Sequence, residues 1–161
     1  MKRKEMKKVL IALDYDKSAQ KVAAAGYEMA KDMNAEVVLL HVISDPVYYS
    51  SVEYSPIMGL TDSLGVDPLK FESSDRLKEV SQHFLDDTKK HLGDDTIQTK
   101  LKEGDFADSI LAGAKELHAD VIVMGSHSRK WLENIVMGSV TEKVLRHTSI
   151  PLFIVPTKNR D

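Results

Sequence analysis

The segment from Asp120 to Pro151 carries most of the information about the fold, and it reads DVIVMGSHSRKWLENIVMGSVTEKVLRHTSIP. A short apolar run, Val121–Met124, leads directly into Gly125, and a polar loop follows. A second glycine, Gly138, stands before Ser-Val-Thr, where we predict that a helix begins. Backbone N–H groups and the helix dipole at such a beginning can hold a phosphate. The segment therefore predicts a strand, a loop and a helix that together form a nucleotide site.

The rest of the chain repeats this alternation of short apolar runs and helical patterns. Short runs rich in Val and Ile are typical of strands buried on both faces, whereas the third run alternates with polar residues and suits an edge strand. Helical spacing between the runs predicts four helices, which imply crossover connections. We therefore predict an α/β fold with a mostly parallel sheet between two helical layers. The predicted strands are Val9–Leu13, Val37–Val42, Ile97–Leu101, Val121–Met124 and Leu152–Val155.

The predicted helices have apolar residues three or four positions apart. The first begins near Lys17, the second is ended by Gly93, and the third is capped by Asp105. The fourth holds Val140, Val144 and Leu145. Residues 44–74 depart from this rhythm and are predicted to form a long loop. A flap over a binding site and a tolerated insertion both fit that loop.

Composition limits the classes of protein to which the chain can belong. Its 161 residues fit one domain, and the absence of cysteine excludes disulfides and thiolate metal sites. The net charge of −3 argues against a nucleic-acid-binding protein. A basic start precedes the run Val9–Leu13, but a signal peptide needs about 7–15 apolar residues and a membrane span about 20. We therefore expect a cytoplasmic protein without a membrane segment.

Side chains suited to nucleotide binding follow the ends of three predicted strands. Parallel sheets bind ligands beyond the carboxyl ends of their strands, where the strand order reverses. If the first and fourth strands are neighbours, Asp14 and Gly125 face the same crevice. Asp14 can accept hydrogen bonds from ribose hydroxyls or help to hold Mg²⁺ on phosphates. Its alternative role is to cap the first helix, for which Asp16 is better placed.

These residues resemble the universal stress proteins. ATP-binding members of that family have Gly, two residues, Gly, nine residues, Gly and then Ser or Thr after the fourth strand. Here Gly125, Gly138 and Ser139 keep that spacing, and Ser128 stands at the middle glycine. The resemblance extends over nearly the whole chain. It implies an adenine nucleotide alpha hydrolase-like fold with strand order 3-2-1-4-5.

The resemblance also implies a set of nucleotide-binding residues. The adenine would meet the first, second and fourth strands, the ribose would lie at Asp14 and Gly125, and the phosphates would lie over the start of the fourth helix. His127 is a candidate for phosphate contact, with a solvated loop histidine as the alternative. The complete set is Ala12, Leu13, Asp14, Val42, Met124, Gly125, His127, Ser128, Gly138, Ser139, Val140 and Thr141.

The motifs favour binding over catalysis. The sequence has no P-loop and no apparent pair of nucleophile and base, and its histidines lack the spacing of metal ligands. The expected function is a stress-response or regulatory protein that binds ATP, with or without Mg²⁺, and hydrolyses it slowly at most. A nucleotide-free dimeric interaction module of the same fold is the main alternative. A phosphoacceptor receiver domain is a further one, although it needs an aspartate after the third strand and a lysine after the fifth.

The last strand indicates how the protein assembles. Leu152–Val155 would be an apolar edge strand, which proteins rarely leave bare. Universal stress proteins pair this strand with its twin, so the resemblance implies a twofold homodimer.

Overall fold

A computed structural model of the protein describes residues 6–15, 17–44, 74–126 and 138–157. The predicted loop at 44–74 therefore lies, apart from its two end residues, outside the described residues, as do Asp16, His127 and Ser128. The elements in chain order are β1 (Lys8–Leu13), α1 (Ala19–Asp32), β2 (Glu36–Ile43), α2 (Ser74–Leu92), β3 (Gln98–Glu103), α3 (Phe106–Glu116), β4 (Val121–Gly125), α4 (Ser139–His147) and β5 (Leu152–Val155).

The five strands form one sheet of order β3-β2-β1-β4-β5, and every pair is parallel. This confirms the predicted fold class and strand order. In the register, Leu13 lies beside His41 of β2, and Val9 lies beside Val121 of β4. The chain runs outward from β1 through β2 to β3 and then returns to β4. The strand order therefore reverses between β1 and β4, where an open parallel sheet can receive a ligand.

The core is divided between the two faces of the sheet. Ile11, Leu39 and Val123 pack with α1 and α2 on one face, whereas Leu10 and Ile122 belong to a cluster with α3 and α4 on the other. Successive side chains of a strand point to opposite faces, so strands covered on both sides need apolar residues at every position. This explains why the apolar runs of β1, β2 and β4 do not alternate.

The outer elements show where the predicted patterns needed correction. β3 is an edge strand, as predicted, but it spans Gln98–Glu103 instead of ending at Leu101. In α4, Val144 is buried but Leu145, the last apolar residue of the predicted helix, is 46% exposed. Thr141 is buried instead, because its hydroxyl has a hydrogen-bond partner at the end of β4.

Gly26 allows α1 to approach the centre of the sheet closely. A β-carbon at this position would lie 2.8 Å from Ile11 Cδ1 and 3.1 Å from Val123 Cγ1. The helix is thus seated across β1 and β4, the two strands between which the order reverses. Among the described residues, no helix is long and apolar enough to cross a membrane.

Candidate functional site

A cleft that is partly open to solvent lies at the carboxyl end of the sheet. Two of the twelve predicted site residues, His127 and Ser128, lie outside the described residues. Ser139 is exposed and does not line the cleft. The other nine line it together: Ala12, Leu13, Asp14, Val42, Met124, Gly125, Gly138, Val140 and Thr141.

The cleft also has a wall that the sequence interpretation missed. Phe106 and Ile110, one turn apart at the start of α3, line it with Leu40 of β2. Gly104, with a φ of 129°, forms the turn between β3 and this helix. Asp105 then caps α3 as predicted, accepting a hydrogen bond from the N–H of Asp108. The apolar pair directly after that cap was the available signal for a helix that begins at the cleft.

The start of α4 presents backbone donors. Gly138 is the cap residue, with φ −67° and ψ 156°, and it provides no side chain to bond the first turn. The N–H of Glu142 donates the first intrahelical bond, to the carbonyl of Gly138 at 2.9 Å. The N–H groups of Ser139, Val140 and Thr141 come before this bond, and a helix leaves such groups without intrahelical partners. This arrangement is suited to an anion.

Thr141 joins α4 to the end of β4. Its hydroxyl donates to the carbonyl oxygen of Gly125 at 2.9 Å, and the residue is 3% exposed. The resemblance implied that Thr141 belongs to the nucleotide-binding set, with the phosphates over the start of its helix. In the structure this hydroxyl donates its hydrogen bond to Gly125 and is not available to donate to an anion. The group that Thr141 offers to an anion is therefore its backbone N–H. The hydrogen bond also fixes the helix start relative to the strand end.

Asp14 follows β1 and lines the cleft with partial exposure. Its Oδ1 accepts a hydrogen bond of 2.8 Å from the N–H of Tyr15. The prediction that Asp16 caps α1 is wrong, because the helix begins at Ala19 and the cap position is Ser18. Ser18 makes no side-chain cap bond and lines the cleft. Asp14 is therefore not the cap of α1, and the residue lies at the crevice between β1 and β4.

His41, which falls within the predicted strand Val37–Val42 and received no separate role there, is 1% exposed and also lines the cleft. Its Nδ1 lies 2.8 Å from the carbonyl oxygen of Leu13. Burial lowers the pKa of His41 below its ordinary value, although the hydrogen bond to Leu13 and the nearby Asp14 act in the opposite direction. A neutral imidazole donates from one nitrogen only. Nδ1–H is therefore the donor to Leu13.

A charged cluster holds α3 and α4 together beside the cleft. Lys143 Nζ lies 3.1 Å from Asp105 Oδ2 and 3.3 Å from Asp108 Oδ1. The hydrogen bond from the N–H of Asp108, followed by that from Lys143, lowers the pKa of the Asp105 carboxyl. Lys143 is thus engaged by two carboxylates. Among the described residues that line the cleft, Asp14 is the one charged side chain, so the α4 amides are the positive element there.

Comparisons with known proteins agree with this architecture. Residues 5–156 match the model of the universal stress protein family. The chain is 30% identical over 157 residues to universal stress protein MJ0577 of Methanocaldococcus jannaschii, covering 95% of this chain and 96% of that protein. It is 28% identical to stress response protein NhaX of Bacillus subtilis, covering 92% and 96% of the two chains.

Solved structures lead to the same family. The structure of MJ0577 superposes with a TM-score of 0.69 at 26% identity, covering 98% of this chain and all of that one. A universal stress protein in complex with cAMP shares the fold, with a TM-score of 0.61 at 19% identity, and the match covers 96% of this chain and all of that one. The predicted resemblance is therefore confirmed, and this chain belongs to the universal stress protein family.

Proposed function

We propose that this protein is a stress-response regulator that binds ATP, or another adenine nucleotide, in the cleft at the carboxyl end of the sheet. The observation that carries the proposal is the continuity of two surfaces within one cleft. An apolar slot between the sheet and α3 leads to the N-terminal amides of α4. A flat base and a phosphate chain require this combination of apolar walls and anion-binding donors.

The adenine would occupy the apolar part of the cleft. Val42 and Met124 would contact it from the ends of β2 and β4 through their backbone, with Ala12 and Leu13 alongside. Phe106 and Ile110 of α3 would close the opposite wall, which supports a planar base there. The relative in complex with cAMP also holds an adenine nucleotide, within the same fold.

The ribose and phosphates would then lie along the line from Asp14 to α4. Asp14 and Gly125 would meet the ribose, since a carboxylate accepts hydrogen bonds from hydroxyls. The phosphates would lie over Gly138 and the N–H groups of the first helical turn, with Ser128 and His127 as further proposed contacts. Mg²⁺ on the phosphates would reduce their repulsion from Asp14. We expect slow hydrolysis at most, because His41, the described histidine in the cleft lining, is buried and donates to Leu13.

The first experiment is to identify the nucleotide that the purified protein carries. Heat release followed by chromatography should yield an adenine nucleotide, and the stripped protein should bind Mg²⁺–ATP with a dissociation constant in the micromolar range, about −8 kcal/mol. GTP is the matched control, because the apolar slot and its backbone contacts should discriminate against a different base. Absence of both bound nucleotide and a titration signal would instead favour the nucleotide-free interaction module.

We also propose that the protein forms a homodimer through β5. Within the described residues β5 pairs with β4 on one side, and Phe153 is 41% exposed at the outer edge of the sheet. The carbonyls of Pro151 and Val155 accept hydrogen bonds from β4, so Ile154, between the inward-facing residues, directs its N–H outward. Ile154→Pro removes this donor from the outer edge, so sedimentation should detect a monomer. A dimer that survives this change would contradict pairing through β5.

We further propose that residues 1–161 form a single domain with an insertion at 44–74, since the described strands form one sheet. We propose a cytoplasmic location, since the chain lacks cysteine and proteins of a reducing compartment rarely contain disulfides.

A further inference from the structure

His41 is a polar residue in an otherwise apolar stretch of β2. Its neighbours from Val37 to Ile43 are buried apolar side chains, and His41 itself is 1% exposed. Its Nε2 has no hydrogen-bond partner among the described residues. A buried acceptor without a partner reduces stability, so an apolar residue would serve the core better here. The presence of the histidine therefore calls for a role other than core packing.

The imidazole holds the last residue of β1. Leu13 and His41 are the final register pair of β1 and β2, and the carbonyl of Leu13 accepts the Nδ1–H bond at 2.8 Å. Beyond Leu13 the chain leaves the sheet, and the next residue is Asp14, which lines the cleft. The side-chain bond thus fixes the backbone directly before Asp14.

The same ring also contacts the residue that follows Asp14. The ring centroids of His41 and Tyr15 are 4.3 Å apart, and Phe84 of α2 packs against both rings. The hydroxyl groups of Tyr15 and Ser81 are hydrogen-bonded, so Tyr15 is also held from its far end. Asp14 therefore stands between two residues that His41 restrains, one through a hydrogen bond and the other through ring contact.

We propose that His41 is a positioning residue that orients Asp14 to accept hydrogen bonds from the ribose hydroxyls of the bound nucleotide. This inference rests on the proposed function, and it specifies the ligand class further. Nucleotides with free 2′ and 3′ hydroxyls are selected over their dideoxy counterparts, and the selection depends on the bond between His41 and Leu13.

Two substitutions separate this role from ordinary packing. His41→Asn keeps an N–H donor near the place of Nδ1 but leaves a cavity where the rest of the ring was. His41→Leu fills most of that volume, removes the unpartnered nitrogen and has no donor. Urea unfolding should therefore show the asparagine variant to be the less stable of the two. Ribose selection should follow the opposite order, because only the asparagine can hold the carbonyl of Leu13.

The experiment is a comparison of dissociation constants for Mg²⁺–ATP and Mg²⁺–2′,3′-dideoxy-ATP. The wild type should prefer ATP by about tenfold or more, the cost of losing hydrogen bonds to a carboxylate. His41→Asn should retain the preference, and in His41→Leu it should fall to about threefold or less. Thr88→Val is the matched control. This substitution removes a different side-chain hydrogen bond on the same face of the sheet, from the buried Thr88 hydroxyl to the carbonyl of Phe84 at 2.9 Å. It should keep the wild-type ratio of the two dissociation constants.

The remaining outcomes of the nucleotide comparison would reject either the positioning role of His41 or the proposed function. A leucine variant that keeps the ratio, an asparagine variant that loses it equally, or a wild type without ribose preference would overturn the proposal. If the wild type binds neither nucleotide, the proposed function fails, and the positioning role is judged in the ligand-free protein. Hydrogen exchange at the N–H of Tyr15, which donates to Asp14 Oδ1, should then be faster in His41→Leu than in His41→Asn. Equal exchange rates would reject the role.

Discussion

The two ends of the sheet are built from the same strands but differ in how their backbone groups are satisfied. At the amino end, Asp120 Oδ2 accepts the N–H groups of Lys7 at 2.9 Å and Lys8 at 3.0 Å. Asp94 accepts the hydroxyl of Tyr27 at 2.8 Å and both the N–H and the hydroxyl of Thr96. At the carboxyl end, the cleft instead exposes the start of α4, where the cap residue is a glycine.

This difference assigns stability to the amino end of the sheet and the proposed nucleotide binding to the carboxyl end. Side chains close the amino end by pairing with backbone groups that would otherwise need water. The carboxyl end retains backbone donors at the start of α4, which the proposed nucleotide would use. Substitutions at the carboxyl end should therefore change nucleotide affinity more than the free energy of unfolding, and substitutions at the amino end should do the reverse.

Among the substitutions considered, Gly138→Val at the carboxyl end should cause the largest change in free energy, as a loss of ATP affinity. A β-branched side chain suits the extended backbone of Gly138, but it would occupy the approach to the α4 amides. ATP affinity should fall by about 100-fold or more, which is about 2.7 kcal/mol. The free energy of unfolding should decrease by about 1 kcal/mol or less, through poorer capping.

Calorimetric titration and urea unfolding would measure both quantities for Gly138→Val. Ser149→Val is the control, because it adds a valine at an exposed position beyond the opposite end of α4. Unchanged ATP affinity in Gly138→Val would mean that phosphates do not approach this helix.

The next largest change is expected for Asp120→Ala at the amino end, as a loss in the free energy of unfolding. The substitution leaves the N–H groups of Lys7 and Lys8 without their carboxylate acceptor, and hydrogen bonds to charged groups contribute about 1.5–3 kcal/mol. We expect a loss of about 2 kcal/mol in the free energy of unfolding and a smaller loss for Asp120→Asn, which keeps an acceptor oxygen. ATP affinity should stay within about twofold, since the site lies at the other end of the sheet. A large loss of affinity would show that the two ends are coupled.

The sequence predicts the fold better than it predicts the details of the cleft. Strands buried on both faces produce apolar runs that can be recognised without a structure, and their alternation with helices requires a parallel sheet. Strand order came from the resemblance, because local patterns do not specify which strands are neighbours. Once β1 and β4 are adjacent, Asp14 and Gly125 line the same cleft, as predicted from that order.

The features that were missed depend on contacts between distant segments. Phe106 reaches the cleft because α3 packs on the sheet beside α4, and His41 acquires its role from the carbonyl of Leu13. In α4, helical spacing does not reveal that Thr141 is buried by a bond to Gly125 whereas Leu145 is exposed. A polar residue can be buried when a partner satisfies it, and one sequence does not reveal that partner.

Titratable groups at the two ends of the sheet should lower the free energy of unfolding in different ranges of acid pH. Because burial lowers the pKa of His41 from its ordinary value near 6.5, the unfolded chain binds more protons below that value. The free energy of unfolding should therefore decrease as the pH falls from about 7 towards the folded pKa of His41. Asp94, whose pKa is lowered first by its hydrogen bonds from Thr96, should affect the amino end only below its ordinary value of 3.8. Urea unfolding between about pH 7 and pH 5 should show a smaller slope for His41→Leu than for the wild type. Identical slopes would contradict a buried neutral imidazole.

The smallest effect is expected for Thr148→Val at the amino end of β5. The hydroxyl of Thr148 donates to the carbonyl of Ile150 at 2.8 Å and accepts the N–H of the same residue at 2.9 Å. Valine has nearly the same shape, so the substitution removes these two bonds without leaving a large cavity. We expect thermal or urea unfolding to show a loss of about 1 kcal/mol, with Thr148→Ser retaining most of the stability because it keeps the hydroxyl. ATP affinity should be unchanged in both variants. If Thr148→Val instead weakened binding while Thr148→Ser did not, α4 would transmit a change from its C-terminal end to the amides at its start, and the separation of stability from binding would not hold for this helix.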